Sequence, residues 1–137
     1  MWVIFEGLDK AGKTTLEWEF LKATNFKHVI IDRGPIGYKV FDELLGRTTT
    51  DGDAGFLSLA NKANESNDFA VVYCHCSDET AKRRLIEHNH EELKYDYHEA
   101  QELLSRNVKQ YYKNFIDVNT DKPIDECLSQ IVEGCKR

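Results

Sequence analysis

No stretch of the chain approaches the ~20 apolar residues that a membrane-spanning helix needs, so no membrane segment is expected. No basic leader precedes Met1, which runs straight into the first strand candidate, so the expectation is a cytoplasmic protein without a secretory signal. Cysteine is sparse and poorly spaced for metal or disulfide chemistry. Cys74 and Cys76 lie on one face of a strand candidate, where they cannot easily bridge. Cys127 and Cys135 are separated by roughly 12 Å along a helix candidate, at 1.5 Å per residue. None has zinc-ligand spacing, so reduced thiols are expected. Repeats, linkers and low-complexity runs are absent. Positive charge is in deficit, with 18 Lys+Arg against 24 Asp+Glu and a formal net charge of −6. That balance opposes tight non-specific binding to nucleic acid, yet leaves room for a nucleic-acid substrate in a local basic cleft.

What is present is an ordinary globular composition. The 137 residues, 41% hydrophobic and 31% charged, suffice for one domain whose core needs no metal or disulfide. The chain is organised around Gly7-Leu8-Asp9-Lys10-Ala11-Gly12-Lys13-Thr14, a full match to G-x-x-x-x-G-K-[ST]. The match follows an apolar strand candidate (Trp2 to Phe5) and opens a helical pattern, the context this phosphate loop requires. Gly7 and Gly12 permit backbone conformations that a Cβ would forbid, so successive N–H groups can turn inward around a phosphate. The helix N-terminus adds open N–H groups and the positive end of its dipole. Gly7, Asp9, Ala11, Gly12, Lys13, Thr14 and Thr15 form the expected nucleotide-binding set, with Lys13 reaching the β/γ-phosphates and the Thr14 hydroxyl available to Mg²⁺.

Beyond the loop, strands alternate with helices. Thr15 to Ala23 reads as a helix with Leu16, Phe20 and Ala23 on one face, and His28 to Asp32 as the second strand. Ile36 to Arg47 is a helix candidate with Val40, Phe41 and Leu44 inward. Thr48 to Gly55 reads as a polar loop, followed by a helix through about Asn64. Phe69 to Cys76 is β-branched and nearly continuously apolar, as a buried parallel strand should be. Ser77 is the expected N-cap of a helix to about Glu87, with Asp78 and Glu79 in its first turn. His88 to Tyr95 is a polar interruption. Asp96 to Asn114 is expected to be the longest helix, with Ala100, Leu103, Leu104, Val108, Tyr111, Tyr112 and Phe115 along one stripe. Phe115 to Val118 is the last strand. Thr120 or Asp121 is expected to cap a final helix with Ile124, Leu128, Ile131, Val132 and Cys135 on its apolar face. The fold class is therefore α/β: a three-layer P-loop NTPase fold with a small parallel sheet of about four strands, covered on both faces.

Three further features separate the functions that such a loop can serve. Asp32-Arg33 closes the second strand, at the sheet edge where α/β proteins place their ligands. An acid there can hold Mg²⁺ or accept a hydroxyl proton, and an arginine beside it can pair with phosphate. Lys82-Arg83-Arg84 leads into the His88–Tyr95 segment, an arrangement that suits either a closing lid or a solvated helical face. No guanine-reading N-K-x-D is present. Asn61-Lys62-Ala63-Asn64 comes near, but lacks the carboxylate and sits within a helical pattern. His75, His88, His90 and His98 have no useful metal spacing apart from His88/His90, which two ligands alone do not make a site. Trp18, Tyr111 and Tyr112 read as core or boundary aromatics.

Phe5 to Thr15 and Val29 to Arg33 resemble the P-loop and D-R motif of thymidylate kinases and their nucleoside monophosphate kinase relatives. His75 to Leu85 is similar to the strand, capped helix and arginine before that family's lid, and Phe115 to Ile131 to its last strand and helix. The resemblance covers most of the chain in outline, its specific parts being the loop and the D-R pair. It implies a single P-loop kinase domain over residues 1–137 with a short lid near 88–95. It implies transfer of the γ-phosphoryl of ATP, with Mg²⁺, to a nucleotide-type acceptor, in a chain that is compatible with a homodimer. By the same resemblance, Lys10, Lys13, Asp32 and Arg33 are catalytic, and Thr14 and Asp32 serve the metal. Asp9 meets the acceptor sugar, and Arg84 lies on the adenine side of ATP. Lys10 fits the family class that carries a basic residue in the loop and none at the lid, where this chain has Ile86, His88, Asn89 and His90.

Two departures concern the acceptor. The interval from Thr15 to Asp32 is too short for the family's usual second strand and acceptor-side helix. Gly34, Pro35, Gly37 and Phe41 replace the residues that usually follow D-R in thymidylate-specific sites. A more open cleft could admit a nucleotide, a nucleoside or a base within DNA, as in compact bacteriophage-type kinases acting on hydroxymethylated pyrimidines or 5′-ends. An ATP-binding regulatory protein without an acceptor, or a non-catalytic remnant, is the rival reading.

Overall fold

The computed structural model describes residues 1–46, 50–87 and 95–136, with the backbone alone for 50–54. Its frame is a four-stranded, wholly parallel sheet in the order β2-β1-β3-β4. The strands are β1 (Trp2–Glu6), β2 (Val29–Asp32), β3 (Phe69–His75) and β4 (Ile116–Asn119). β1 and β3 occupy the centre and are the most apolar, as strands enclosed on both faces must be. Alternation along them sorts the core into two layers. Val3, Phe5, Ala70, Val72 and Val118 meet α1 (Lys13–Ala23) and α6 (Ile124–Gly134) through Leu16, Phe20, Cys127 and Ile131. Ile4, Val71 and Tyr73 face α2 (Pro35–Leu44), α3 (Thr50–Glu65) and α5 (Tyr97–Tyr111) through Ile36, Val40, Phe41, Ala60, Leu104 and Val108. The α/β class, the parallel sheet of four strands and the cover on both faces are as expected. All four cysteines are buried. Among the described residues, no helix is long and apolar enough to cross a membrane.

Glu6 joins the sheet to α2, and nothing in its sequence context marks it. This last residue of β1 is fully buried and accepts hydrogen bonds from the backbone N–H groups of Ile36 and Gly37, at 3.0 and 2.8 Å. It also accepts one from the Tyr112 hydroxyl at 2.6 Å. Its carboxylate takes the place of a cap at the α2 N-terminus, where Pro35 has no N–H to offer. Burial pushes the Glu6 carboxyl up from its ordinary value, against the lowering effect of those donors. Tyr112 is therefore core, but with its hydroxyl engaged, whereas Trp18 is 58% exposed rather than a core or boundary aromatic.

Several boundaries differ from expectation for local reasons. α1 begins at Lys13, so the loop lysine already belongs to the helix. Ala23 in its last turn is exposed rather than inward. α2 stops at Leu44, before Gly46 takes a left-handed φ of 68°. Residues 50–55 are helical, not a loop: α3 extends N-terminally from the part anchored by Leu59, Ala60 and Ala63, since propagation costs far less than nucleation. Among the described residues α3, with 16 residues, is longer than α5 with 15. α5 is capped by Asp96, which accepts from Glu99 N, and ends where Tyr112 turns extended. Neither Thr120 nor Asp121 caps α6. That helix starts behind Pro123, and both side chains are engaged elsewhere. Ile124 is half-exposed, and Cys127 takes the inward position. Asn64 acts as a clamp, donating to Tyr111 O at 2.7 Å and accepting from Lys113 N at 2.9 Å, which accounts for the near-match at Asn61–Asn64 without a base. Of the expected lid near 88–95, residues 88–94 lie outside the described residues.

Candidate active site

The chain reverses direction across the sheet at β1, with β2 on one side and β3 on the other. Ligands of open α/β sheets collect at the carboxyl ends of strands beside such a point. The phosphate loop leaves β1 there, Asp32-Arg33 leaves β2, Cys76-Ser77 follows β3 and Thr120-Asp121 follows β4. A cleft of about 670 Å³ lies along the loop, lined among others by Asp9, Lys10, Gly12, Lys13, Thr14, Thr15, Arg84 and Thr120.

Two glycines shape the loop. A Cβ on Gly7 would stand 2.8 Å from the Cys74 carbonyl oxygen, so only glycine lets the loop leave between the central strands. Gly12 holds a left-handed φ of 82°, and Lys10 does the same at 70° without a glycine's freedom. Left-handed residues set among right-handed ones are the backbone pattern that can turn amides toward an anion. The first-turn amides of α1, from Lys13 to Thr15, are left open by helix geometry. Ala11 differs from its neighbours, because its N–H donates to Leu8 O at 3.1 Å and its carbonyl accepts from the Thr120 hydroxyl at 2.7 Å.

Charged groups pair across the loop. The Lys13 ammonium, its side chain only 9% exposed, donates to Asp32 Oδ1 at 3.0 Å. The Asp32 side chain is 62% exposed. Arg33 has a left-handed φ of 60° and reaches back to Asp9 Oδ1 at 3.3 Å. Its guanidinium lies over the Phe41 ring at 4.7 Å and near Tyr38 at 5.7 Å, and Tyr95 meets Phe41 edge-on at 5.5 Å. Lys13 is thus paired with Asp32 and Arg33 with Asp9, while Lys10 lines the cleft beside Asp9 and Lys13. Thr14 and Thr15 are exposed beside the loop. The Thr14 hydroxyl and the Asp32 carboxylate are hard oxygen donors, the chemical class that Mg²⁺ takes.

Sequence reading missed Glu17, one helical turn beyond Lys13. It is buried, and one of its carboxylate oxygens, Oε1, has no hydrogen-bond partner. Burial first, and the neighbouring Asp32 second, push its carboxyl up to about 8. The hydrogen bond from Glu17, with help from Lys13 and Arg33, holds Asp32 below the usual carboxylate range. Glu17 therefore keeps its proton up to about pH 8, beside an Asp32 that ionises readily. Its i+4 offset from Lys13 was the available signal, a carboxylate on the helix face that must point inward.

This pair makes stability depend on pH in two separate windows. Folding raises the proton affinity of Glu17, so its contribution is complete below about pH 4.5 and is lost as pH rises to about 8. Asp32, held low, contributes above its ordinary value of 3.8, and that part is lost as pH falls through its folded value. Glu17→Gln keeps the donor but cannot ionise. Thermal melts between pH 5 and 8.5 should show the wild-type decline in Tm shrinking by roughly 5 °C in this variant; equal slopes would show that Glu17 does not titrate there.

Arg84 and Thr120 close the far side of the loop. Arg84 Nη1 donates to Lys10 O at 2.8 Å and to Thr120 Oγ1 at 3.1 Å, and Nη2 donates to Thr120 O at 2.9 Å. Of the basic run, Lys82 and Arg83 are exposed, and Arg84 alone turns into the cleft. The Ser77 hydroxyl accepts from Thr80 N at 3.2 Å, confirming the expected cap of α4 (Asp78–Glu87). His75 pairs with Asp117, and His98 with Asp78 and Glu102. Among the described residues, no group of three or more His, Cys, Asp or Glu side chains could hold a metal.

No family profile and no curated protein matches the chain. Solved structures do. The YorR protein of Bacillus subtilis, in complex with phosphorylated GDP, superposes with a TM-score of 0.75 at 17% identity, covering 97% of this chain and 94% of its own. The deoxyadenosine kinase of M. mycoides with bound dATP superposes with a TM-score of 0.57 at 19% identity, covering 97% and 98%. The four-stranded parallel α/β fold of this chain is thus one it shares, over nearly its whole length, with both of those proteins.

Proposed function

We propose that the chain is a Mg²⁺- and ATP-dependent kinase that transfers the γ-phosphoryl group to a nucleotide-type acceptor, in the manner of thymidylate kinases. The observation that carries this reading is the buried Lys13 ammonium at the root of a phosphate loop, 3.0 Å from the Asp32 carboxylate that ends the neighbouring strand. The shared fold supports it, since one of the solved neighbours is a deoxyadenosine kinase.

The chemistry follows from the charges. Loop amides and Lys13 hold the β- and γ-phosphates. Lys10 and Arg33 supply positive charge to the equatorial oxygens of the moving phosphoryl, where electrostatic stabilisation acts most strongly. Phosphate oxygens drawn between Lys13 and Arg33 replace the present counterions of those cations. Asp32 is then available to the metal and Asp9 to the acceptor's sugar hydroxyl, for which a carboxylate is a strong acceptor. Mg²⁺, held by Thr14 and Asp32, would neutralise charge on the β- and γ-oxygens. Arg84 flanks the donor nucleotide.

A second reading takes the acceptor to be a modified pyrimidine or a 5′-end in DNA. It is favoured by the position of β2 as an outer strand, with no further strand beyond it among the described residues. Incubation with labelled ATP and deoxynucleotides, nucleosides or DNA, with products resolved by mass, separates the readings. Label in a deoxynucleotide supports the first and label in DNA the second. ATP turnover unchanged by every acceptor would instead indicate a regulatory ATP-binding protein.

A further inference from the structure

A phosphate cradle places two demands on its backbone: N–H groups must converge on the anion, and the intervening carbonyls must point away from it. A carbonyl turned inward would set a negative dipole against several phosphate charges. We propose that Arg84 and Thr120 are positioning residues that clamp the Lys10 and Ala11 carbonyls outward and so hold the loop open for phosphate. This inference rests on the reading of the loop as a nucleotide site.

The contacts close a ring. Lys10 O accepts from Arg84 Nη1 at 2.8 Å, and the Cys76 thiol stands 3.5 Å from it. Ala11 O accepts from Thr120 Oγ1 at 2.7 Å. Thr120 is itself fixed, since its N–H donates to His75 O at 2.8 Å and its carbonyl accepts from Arg84 Nη2 at 2.9 Å. Asp121 accepts from Ser77 N at 3.1 Å, tying the segment after β4 to the start of the helix that carries Arg84. The clamp touches the loop at its turning point: a Cβ on Gly12 would stand 3.1 Å from Thr120 Cβ and 3.3 Å from Arg84 Nη1.

The left-handed φ of Lys10 is unfavourable for a residue with a Cβ, and capture of its carbonyl by a guanidinium offsets that strain. A charge-assisted bond is the stronger kind, and the guanidinium adds positive potential behind the amides. Both Nη groups of Arg84 are thereby committed to backbone and hydroxyl oxygens. Its main task on this account is to shape the loop rather than to read a base.

The test compares Thr120→Val, which keeps the shape and loses the hydroxyl, with Thr120→Ser, which keeps the hydroxyl. Mg-ADP binding by calorimetry should weaken at least ~10-fold in Thr120→Val and stay within about 2-fold in Thr120→Ser, the size expected when one buried donor is withdrawn. In protein without nucleotide, exchange of the amides of residues 12–15 should quicken in Thr120→Val alone. Should Thr120→Val fail to fold, Arg84→Lys applies the same test, because one ammonium cannot span both Lys10 O and Thr120 O. Equal binding and equal exchange in wild type, Thr120→Val and Arg84→Lys would overturn the clamp. Absence of Mg-ADP binding in the wild type would instead overturn the kinase reading, and the exchange comparison would still decide the clamp.

Discussion

Lys13→Ala should lower phosphoryl transfer by at least ~10³-fold, the scale seen when a main electrostatic contact to the moving group is removed. Lys13 is the one cation among the described residues that is both rooted in the phosphate loop and nearly buried, its side chain 9% exposed. Its charge acts where water is excluded, so each interaction with phosphate is worth more than it would be in solvent. Alanine also leaves the ionised Asp32 without its ammonium partner, so ATP would approach unrelieved negative charge. The fold should survive, because Lys13 lies at the first helical position and the α1 core is made by Leu16 and Phe20. Steady-state transfer of label, with far-UV circular dichroism as the control, measures both halves of the expectation. Transfer within about 10-fold of wild type would show that the loop does not act through this lysine.

Glu6→Ala should cost about 3–5 kcal/mol of stability, a large fraction of the 5–15 typical of a domain. Three donors meet the Glu6 carboxylate in the dry interior: two backbone N–H groups of α2 and the Tyr112 hydroxyl. Alanine strands all of them, and an unmade buried hydrogen bond costs more than a made one contributes. Tyr112→Phe removes a single partner and should cost only about 1–2 kcal/mol. Urea unfolding of both variants gives the comparison. Because Glu6 fixes the start of α2, just beyond Arg33, its loss should also reduce transfer at concentrations of denaturant where the variant is still folded. Equal stability of Glu6→Ala and wild type would mean that α2 is held by its apolar face alone.

Legibility followed the range of the interactions. The phosphate loop could be read because its constraints are local: glycines where a Cβ is forbidden, then a lysine and a hydroxyl at the start of a helix. Asp32-Arg33 was legible through its place at the end of an apolar strand. Residues 50–55 were misread because polar and glycine-containing sequence carries no period, while the helix there grows from an anchored part further on. Thr120 was read as a cap because its neighbours suit one. Its hydroxyl instead reaches Ala11, 109 positions earlier in the chain, and no window along the sequence contains both residues.

The order of residues alone determined the alternation of strands and helices, the phosphate loop and the acid–arginine pair, since each depends on steric and hydrophobic preferences over a few neighbouring positions. Tertiary structure decided which strands sit side by side, that Glu6 lies beneath α2, that Glu17 is buried beside Asp32, and that Arg84 and Thr120 hydrogen-bond the loop carbonyls. Those contacts join groups brought together only when the sheet closes. A buried carboxylate or a captured carbonyl is defined by its surroundings, and folding is what supplies them.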